Sequence, residues 1–150
     1  MVMTLRRMMH AVDGDRVKEA IRQCELKTSG EIAVSVAPLF WGNVEKAARK
    51  TFERMGMTNT RLRSGVLIFL VPSRRRFAVL GDSGIHEKVG QGFWDDVARH
   101  LTEHFRNDDF TSGLVQCIEE IGEQLAAHFP YEPSMDKNEL PNEVDFGDPR

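Results

Sequence analysis

The chain is short of cysteine, of long apolar runs and of net charge, and each shortage removes a class of protein. Two cysteines in 150 residues are too few for a disulfide scaffold or a four-cysteine zinc site. Cys24 and Cys117 lie far apart inside apolar helical patterns, which reads as two buried, reduced thiols. The longest apolar run, Val66 to Val71, is six residues, against the roughly 20 that a membrane-spanning helix needs. No transmembrane segment is therefore expected. The opening MVMTLRRMMHAVDGDR reaches His10 and two aspartates too soon for a signal-peptide core, so a soluble, cytoplasmic protein is expected. The Met-rich start is expected to dock on the body as a short amphipathic extension over residues 1–12. Lys+Arg 20 against Asp+Glu 23 leaves a net charge of −3, which argues against nucleic-acid binding through bulk charge.

What is present is ordinary globular material, 41% hydrophobic and 29% charged, at a length that buries about 70% of the unfolded surface. From Asp13 a cap precedes Val17, Ala20, Ile21, Cys24 and Leu26 at helical spacing, closed by Thr28-Ser29-Gly30. Residues 31–37 are β-branched and bounded by Gly30 and Pro38, the pattern of a strand. Asn43 caps a second helix through Val44, Ala47, Ala48, Phe52 and Met55, with Gly56 placed to close it. The unbroken apolar stretch 65–71 predicts a central strand covered on both faces. The short Pro72-Ser73-Arg74-Arg75 turn makes 77–80 its antiparallel neighbour, with Arg74, Arg75 and Arg76 at a solvated hairpin tip. Val89, Phe93, Val97, Leu101 and Phe105 step by fours, then Phe110, Leu114, Cys117, Ile118, Ile121, Leu125 and Phe129 trace a last helix. The order α-β-α-β-β-α-α predicts an α/β class, a three-layer α/β/α sandwich around a small mixed sheet with one β-hairpin, as a single domain over 13–130.

Gly81-Asp82-Ser83-Gly84 matches the nucleophile loop of trypsin-type proteases, but the chain has none of the strand-rich barrels that fold requires. Two glycines and a carboxylate at a strand end, where α/β sheets bind ligands, make Asp82 the first residue to single out. His86 beside Glu87 has acid–base chemistry, in a loop near Asp82. His100 and His104 have metal-ligand spacing, but lack the glutamate directly after the first histidine that a zinc-protease helix carries; an exposed, ion-paired face is the plainer reading. No phosphate loop, dinucleotide fingerprint or nucleophile elbow occurs. Glu31, Asp82, Asp95, Asp96, Asp108 and Asp109 are oxygen donors of the kind that Ca²⁺ or Mg²⁺ takes. Capping and solvation account for the same residues, Asp108 and Asp109 most simply.

The chain resembles the TPM domain family from about Val17 to Phe129. The likeness lies in the order of Ser29-Gly30-Glu31-Ile32-Ala33-Val34, Arg63-Ser64-Gly65-Val66-Leu67-Ile68-Phe69, Phe77-Ala78-Val79-Leu80-Gly81-Asp82 with Gly84-Ile85, and Phe105-Arg106-Asn107-Asp108-Asp109-Phe110 before Gly113-Leu114. A short soluble bacterial branch is most similar, through Gly84-Ile85-His86-Glu87-Lys88-Val89-Gly90-Gln91, Phe93-Trp94-Asp95 and Asn138-Glu139-Leu140-Pro141. The resemblance implies an α/β/α sandwich, binding of a divalent cation and, in some relatives, acid phosphatase activity on phosphomonoesters. Glu31, Asp82, Asp95 and Asp109 are the candidate cation ligands, and no catalytic residue is assigned. Commoner members differ by a secretion signal, a membrane anchor and another pattern across 85–91. Two functions from different classes follow: a metal-binding or interaction domain without catalysis, and a weak metal-assisted phosphatase.

Divided, the charge says more. Residues 131–150 hold six acids against two bases, leaving 18 bases and 17 acids in residues 1–130. The acidity thus belongs to a C-terminal tail, expected to wrap the domain through Leu140 and Phe146 or to await a protein partner.

Overall fold

A computed structural model describes residues 11–132 and 144–147. Helix α1 spans Gly14–Glu25, and Asp13 caps it by accepting from the Arg16 amide at 3.3 Å. Its buried stripe is Val17, Ile21 and Cys24. Leu26, expected on that stripe, is rotated off it at the helix end and lies exposed. Strand β1 runs Glu31–Val36 and helix α2 Val44–Arg54, capped by Asn43 on the Lys46 amide. Gly56 closes α2 with a left-handed φ of 72°, the conformation a glycine adopts at no steric cost. A short 3₁₀ turn, Met57–Asn59, leads on to β2, Gly65–Val71, and β3, Arg76–Gly81, follows.

β2 is the central strand, parallel to β1 and antiparallel to β3, and every residue in it is buried. Ile32, Val34, Val66, Ile68 and Leu70 pack on one face against α1 and the two C-terminal helices. Ala33, Leu67, Phe69 and Ala78 pack on the other face against α2 and the 3₁₀ turn. Each fully buried aliphatic side chain here contributes about 1.5–3 kcal/mol through apolar burial. The three-layer sandwich read from the sequence is the fold observed.

The last helices are α3, Ser83–Arg106, with a kink at Gly90 where φ is 76°, and α4, Phe110–His128. Residues 85–91, expected as a loop, thus belong mostly to the first turns of α3. Asp82 caps that start, and the kink at Gly90 interrupts the helix just after Val89, the first residue of the step-by-four pattern. At the hairpin tip, Arg74 donates to the Gly42 carbonyl and Arg75 to Asp108, so two of the three arginines are engaged rather than merely solvated. Both cysteines are buried and free; burial pushes the Cys24 thiol up to about 12 and raises that of Cys117 as well.

The tail returns to the domain at the outer edge of β1. The Asp145 amide donates to Val34 and its carbonyl accepts from Val36, at 2.9 and 2.7 Å, and Val144 packs on the core. Phe146 is half exposed, and its ring tip reaches the start of α1, 4.0 Å from where a Cβ on Gly14 would stand. Of the N-terminal extension, Ala11 and Val12 are described and pack on the core; residues 1–10 and Leu140 lie outside the described residues.

Candidate functional site

At one end of the sheet, three residues stand in a row across its three strands. Glu31 in β1 pairs with Gly65 in β2, and the Asp82 amide, just past β3, donates to the Gly65 carbonyl at 2.9 Å. Strand alternation puts Glu31 with Ala33, Gly65 with Leu67, and Asp82 with Leu80, all on the α2 face. The outer two are carboxylates of only 3% and 7% exposure. The backbones that carry them are about 10 Å apart, two strand spacings. Gly65 between them has no side chain for a reason: a Cβ there would stand 2.8 Å from the Met57 carbonyl oxygen.

Asp82 is held from two sides. Its Oδ1 accepts from the Ser83 amide at 2.7 Å and caps α3. Arg63 adds a bidentate fork, Nε to Oδ2 at 2.7 Å and Nη2 to Oδ1 at 2.9 Å. The hydrogen bond to Asp82, then its charge, raises the Arg63 pKa. The arginine is aimed by a tight turn: its amide donates to the Thr60 carbonyl, the Ser64 amide to Thr60 Oγ1, and Arg63 itself adopts φ 53°. The start of α3 presses on this turn. The Ile85 amide donates to the Arg63 carbonyl, and a Cβ at Gly84 would run into the Leu62 carbonyl and stand 2.7 Å from that of Arg63. Nothing in the sequence singled out Arg63 as a site residue; its signal was a charge two residues before the glycine that opens the central strand.

Of the four carboxylates proposed from sequence, Glu31 and Asp82 share the row at the sheet end. Asp95 is exposed beyond the Gly90 kink and accepts from Gln91 Nε2 at 3.0 Å. Asp109 is exposed at the start of α4, the whole 24-residue length of α3 away from Asp82. Among the described residues no three His, Cys, Asp or Glu side chains converge as a metal-holding group. His86 lies on the first turns of α3, where its Nδ1 accepts from Trp94 Nε1 at 3.0 Å. His100 and His104 form the expected polar face, tied to Glu120 and to Asp109 and Gln116. The Gln116 bond raises the His104 pKa against the opposing effect of burial, and Asp109 adds to the rise. Burial works against ionising Asp109, yet the hydrogen bond and charge of His104 lower its pKa overall.

A groove of about 890 Å³ lies elsewhere, between α1 and α4, floored by Ala20, Cys24, Val115, Gly122 and Ala126. None of the proposed ligands lines it. The carboxylate row is the better candidate site.

Comparison with known proteins bears on this arrangement. A family model described as TPM domain matches residues 2–124. The NMR structure of the BA42 protein from the psychrophilic bacterium Bizionia argentinensis is 34% identical, covers 91% of this chain and 95% of its own, and superposes with a TM-score of 0.81. Two further solution structures share the fold alone. The N-terminal domain of a P. gingivalis protein is 20% identical with a TM-score of 0.61, over 76% of each chain. The N-terminal domain of the cg2496 protein of Corynebacterium glutamicum is 14% identical with a TM-score of 0.59, over 74% of this chain and 70% of that one. A comparison with curated proteins finds no match. No helix among the described residues is long and apolar enough to cross a membrane.

Proposed function

We propose, from the premise that this chain belongs to the TPM domain family, that it binds a divalent cation of the hard class, Ca²⁺ or Mg²⁺, at the sheet end marked by Asp82 and Glu31. The observation that carries the reading is the row itself: two carboxylates more than nine-tenths buried, on one face, either side of a glycine. A buried carboxylate costs several kcal/mol in desolvation when it lacks compensation, and such costs concentrate at functional sites. The donor chemistry fits. Carboxylates are oxygen ligands, the kind such cations take. Asp82 and Glu31 would hold the ion, which supplies concentrated positive charge to a phosphate or carboxylate partner. This set is narrower than the four carboxylates picked from sequence, since Asp95 and Asp109 sit elsewhere on the molecule.

The reading stops at binding. Phosphomonoester hydrolysis would further require the bound ion to activate a water in line with the ester, and no residue is assigned to that step. The test is calorimetric and NMR titration of the full chain with Ca²⁺, Mg²⁺ and Mn²⁺, alongside Asp82→Asn and Glu31→Gln. Asparagine still caps a helix, so Asp82→Asn keeps the start of α3. Binding that Asp82→Asn abolishes and Glu31→Gln weakens is the expected result. No binding at millimolar cation, or full binding by Asp82→Asn, overturns the reading. A p-nitrophenyl phosphate assay on the same samples reports whether the bound ion supports hydrolysis.

A further inference from the structure

We infer that Arg63 is a built-in counter-cation that a divalent ion must displace from Asp82, so that Arg63 sets the cation affinity of the site. The inference rests on the reading of Asp82 as a cation ligand. Its basis is a count of acceptor positions. Oδ1 of Asp82 already accepts two hydrogen bonds, from the Ser83 amide and Arg63 Nη2, and Oδ2 accepts one from Arg63 Nε. A bidentate guanidinium takes the side of the carboxylate that a metal would use, and its positive charge would repel a second cation lodged next to it. Pairing with Arg63 and ligation of a cation are therefore alternatives at one carboxylate.

The two residues differ in freedom. Asp82 is 7% exposed and fixed at a helix cap, whereas the Arg63 side chain is 52% exposed. The guanidinium can leave by side-chain rotation into water while the backbone turn that carries it stays. That turn is fastened independently, by Thr60 to the Arg63 and Ser64 amides and by the Ile85 amide on the Arg63 carbonyl. No other cation is hydrogen-bonded to Asp82 among the described residues. Arg63 thus occupies the carboxylate without being locked there, which is what an exchangeable counter-ion requires.

The exchange predicts an affinity change of unusual sign. Removing a positive residue from a cation site tightens binding if that residue competes, and leaves it unchanged if it only stabilises the fold. Calorimetric titration of Ca²⁺ into wild type, Arg63→Gln and Arg63→Lys, with circular dichroism to confirm folding, reads this out. Arg63→Gln is expected to bind roughly tenfold more tightly, a typical coupling between two ligands of one site. Arg63→Lys, a point charge without the fork, is expected in between, and it guards against a misfolded glutamine variant. A second readout is the Arg63 Nε–H resonance of the wild type, which should move and exchange faster with water as Ca²⁺ saturates. Equal or weaker binding by both variants, or an unmoved Nε–H signal at saturation, overturns the inference while leaving cation binding at Asp82 intact. Binding by Arg63→Gln but not by wild type supports it. No binding by any of the three overturns both this inference and the functional reading beneath it.

Discussion

Both ends of α3 carry an arginine forked onto an aspartate, and in both the arginine stands in left-handed backbone. At the front, Arg63, φ 53°, meets Asp82 at 2.7 and 2.9 Å; at the rear, Arg75, φ 50°, meets Asp108 at 2.6 and 3.1 Å. The hydrogen bonds are near copies. The surroundings are not: Asp82 is 7% exposed and Asp108 47%. In water an ion pair gains little, because both charges were already well solvated. Once the carboxylate is buried, its desolvation has been spent and each hydrogen bond to it counts for more. Geometry therefore identifies a pair, and burial decides what the pair is worth. The front fork braces a buried carboxylate, while the rear one joins a hairpin tip to a helix corner.

The sharpest way to break this contrast is Gly84→Ala. In a free helix the change would help by about 1 kcal/mol. Here the new methyl meets the Leu62 and Arg63 carbonyls, so the turn must lift and carry Arg63 away from Asp82. A net loss of about 2–3 kcal/mol is expected, seen as a lower urea midpoint at unchanged slope. A neutral or stabilising result would mean that α3 does not clamp the turn, and the front fork would lose its distinction.

A third fork of intermediate burial sharpens the comparison. Arg54 Nη2 meets Asp145 Oδ2 at 2.7 Å, with the aspartate 18% exposed, and Ser35 Oγ donates to the same oxygen at 2.7 Å. Changing each aspartate to asparagine is expected to cost about 2 kcal/mol at Asp82 and about 1 kcal/mol at Asp145, following burial. Asp145 also gives a pH test. Burial opposes its ionisation, but hydrogen bonds from Arg54 and Ser35 and the Arg54 charge outweigh it, and the pKa falls below 3.8. A lowered carboxylate pKa contributes stability above the unfolded value, and that contribution is lost as pH drops through the folded value. The Val36 amide, which donates to Asp145, should therefore keep its exchange protection at neutral pH and lose it below about pH 4. Protection that survives acidification would show that the backbone pairing holds the tail without the fork.

These forks also mark how far the sequence could be read. The layers, the central strand and the hairpin were legible because each has a periodic apolar signature: seven buried residues in β2, steps of four in α3 and α4. Asp82 was legible as a carboxylate between glycines at a strand end. Its row with Glu31 was not, because register across three strands depends on pairing 30 or more residues apart, Glu31 with Gly65. Arg63 was missed for a related reason, since a lone arginine in a turn has no spacing rule that names its partner. The first turns of α3 were missed because glycines at 84 and 90 imitate a loop. The tail's anchor was sought in large apolar residues, whereas Asp145 is held by backbone bonds to β1 and by the Ser35 and Arg54 side chains, which no apolar pattern announces.

The smallest effect belongs to the rear fork. Asp108 has φ 55°, a conformation that asparagine tolerates as well as aspartate does, so Asp108→Asn removes the charge and leaves the backbone preference alone. The Arg75 pair is between two side chains about half exposed, and pairs of that kind often contribute nothing measurable. No change in unfolding midpoint beyond experimental error is expected, at low or high salt. The same substitution at Asp82 should be plain in both conditions, because salt screens exposed charges far more than buried ones. A salt-sensitive loss at Asp108 comparable to that at Asp82 would show that fork geometry outweighs burial, and with it would go the reason for setting the front end of α3 apart.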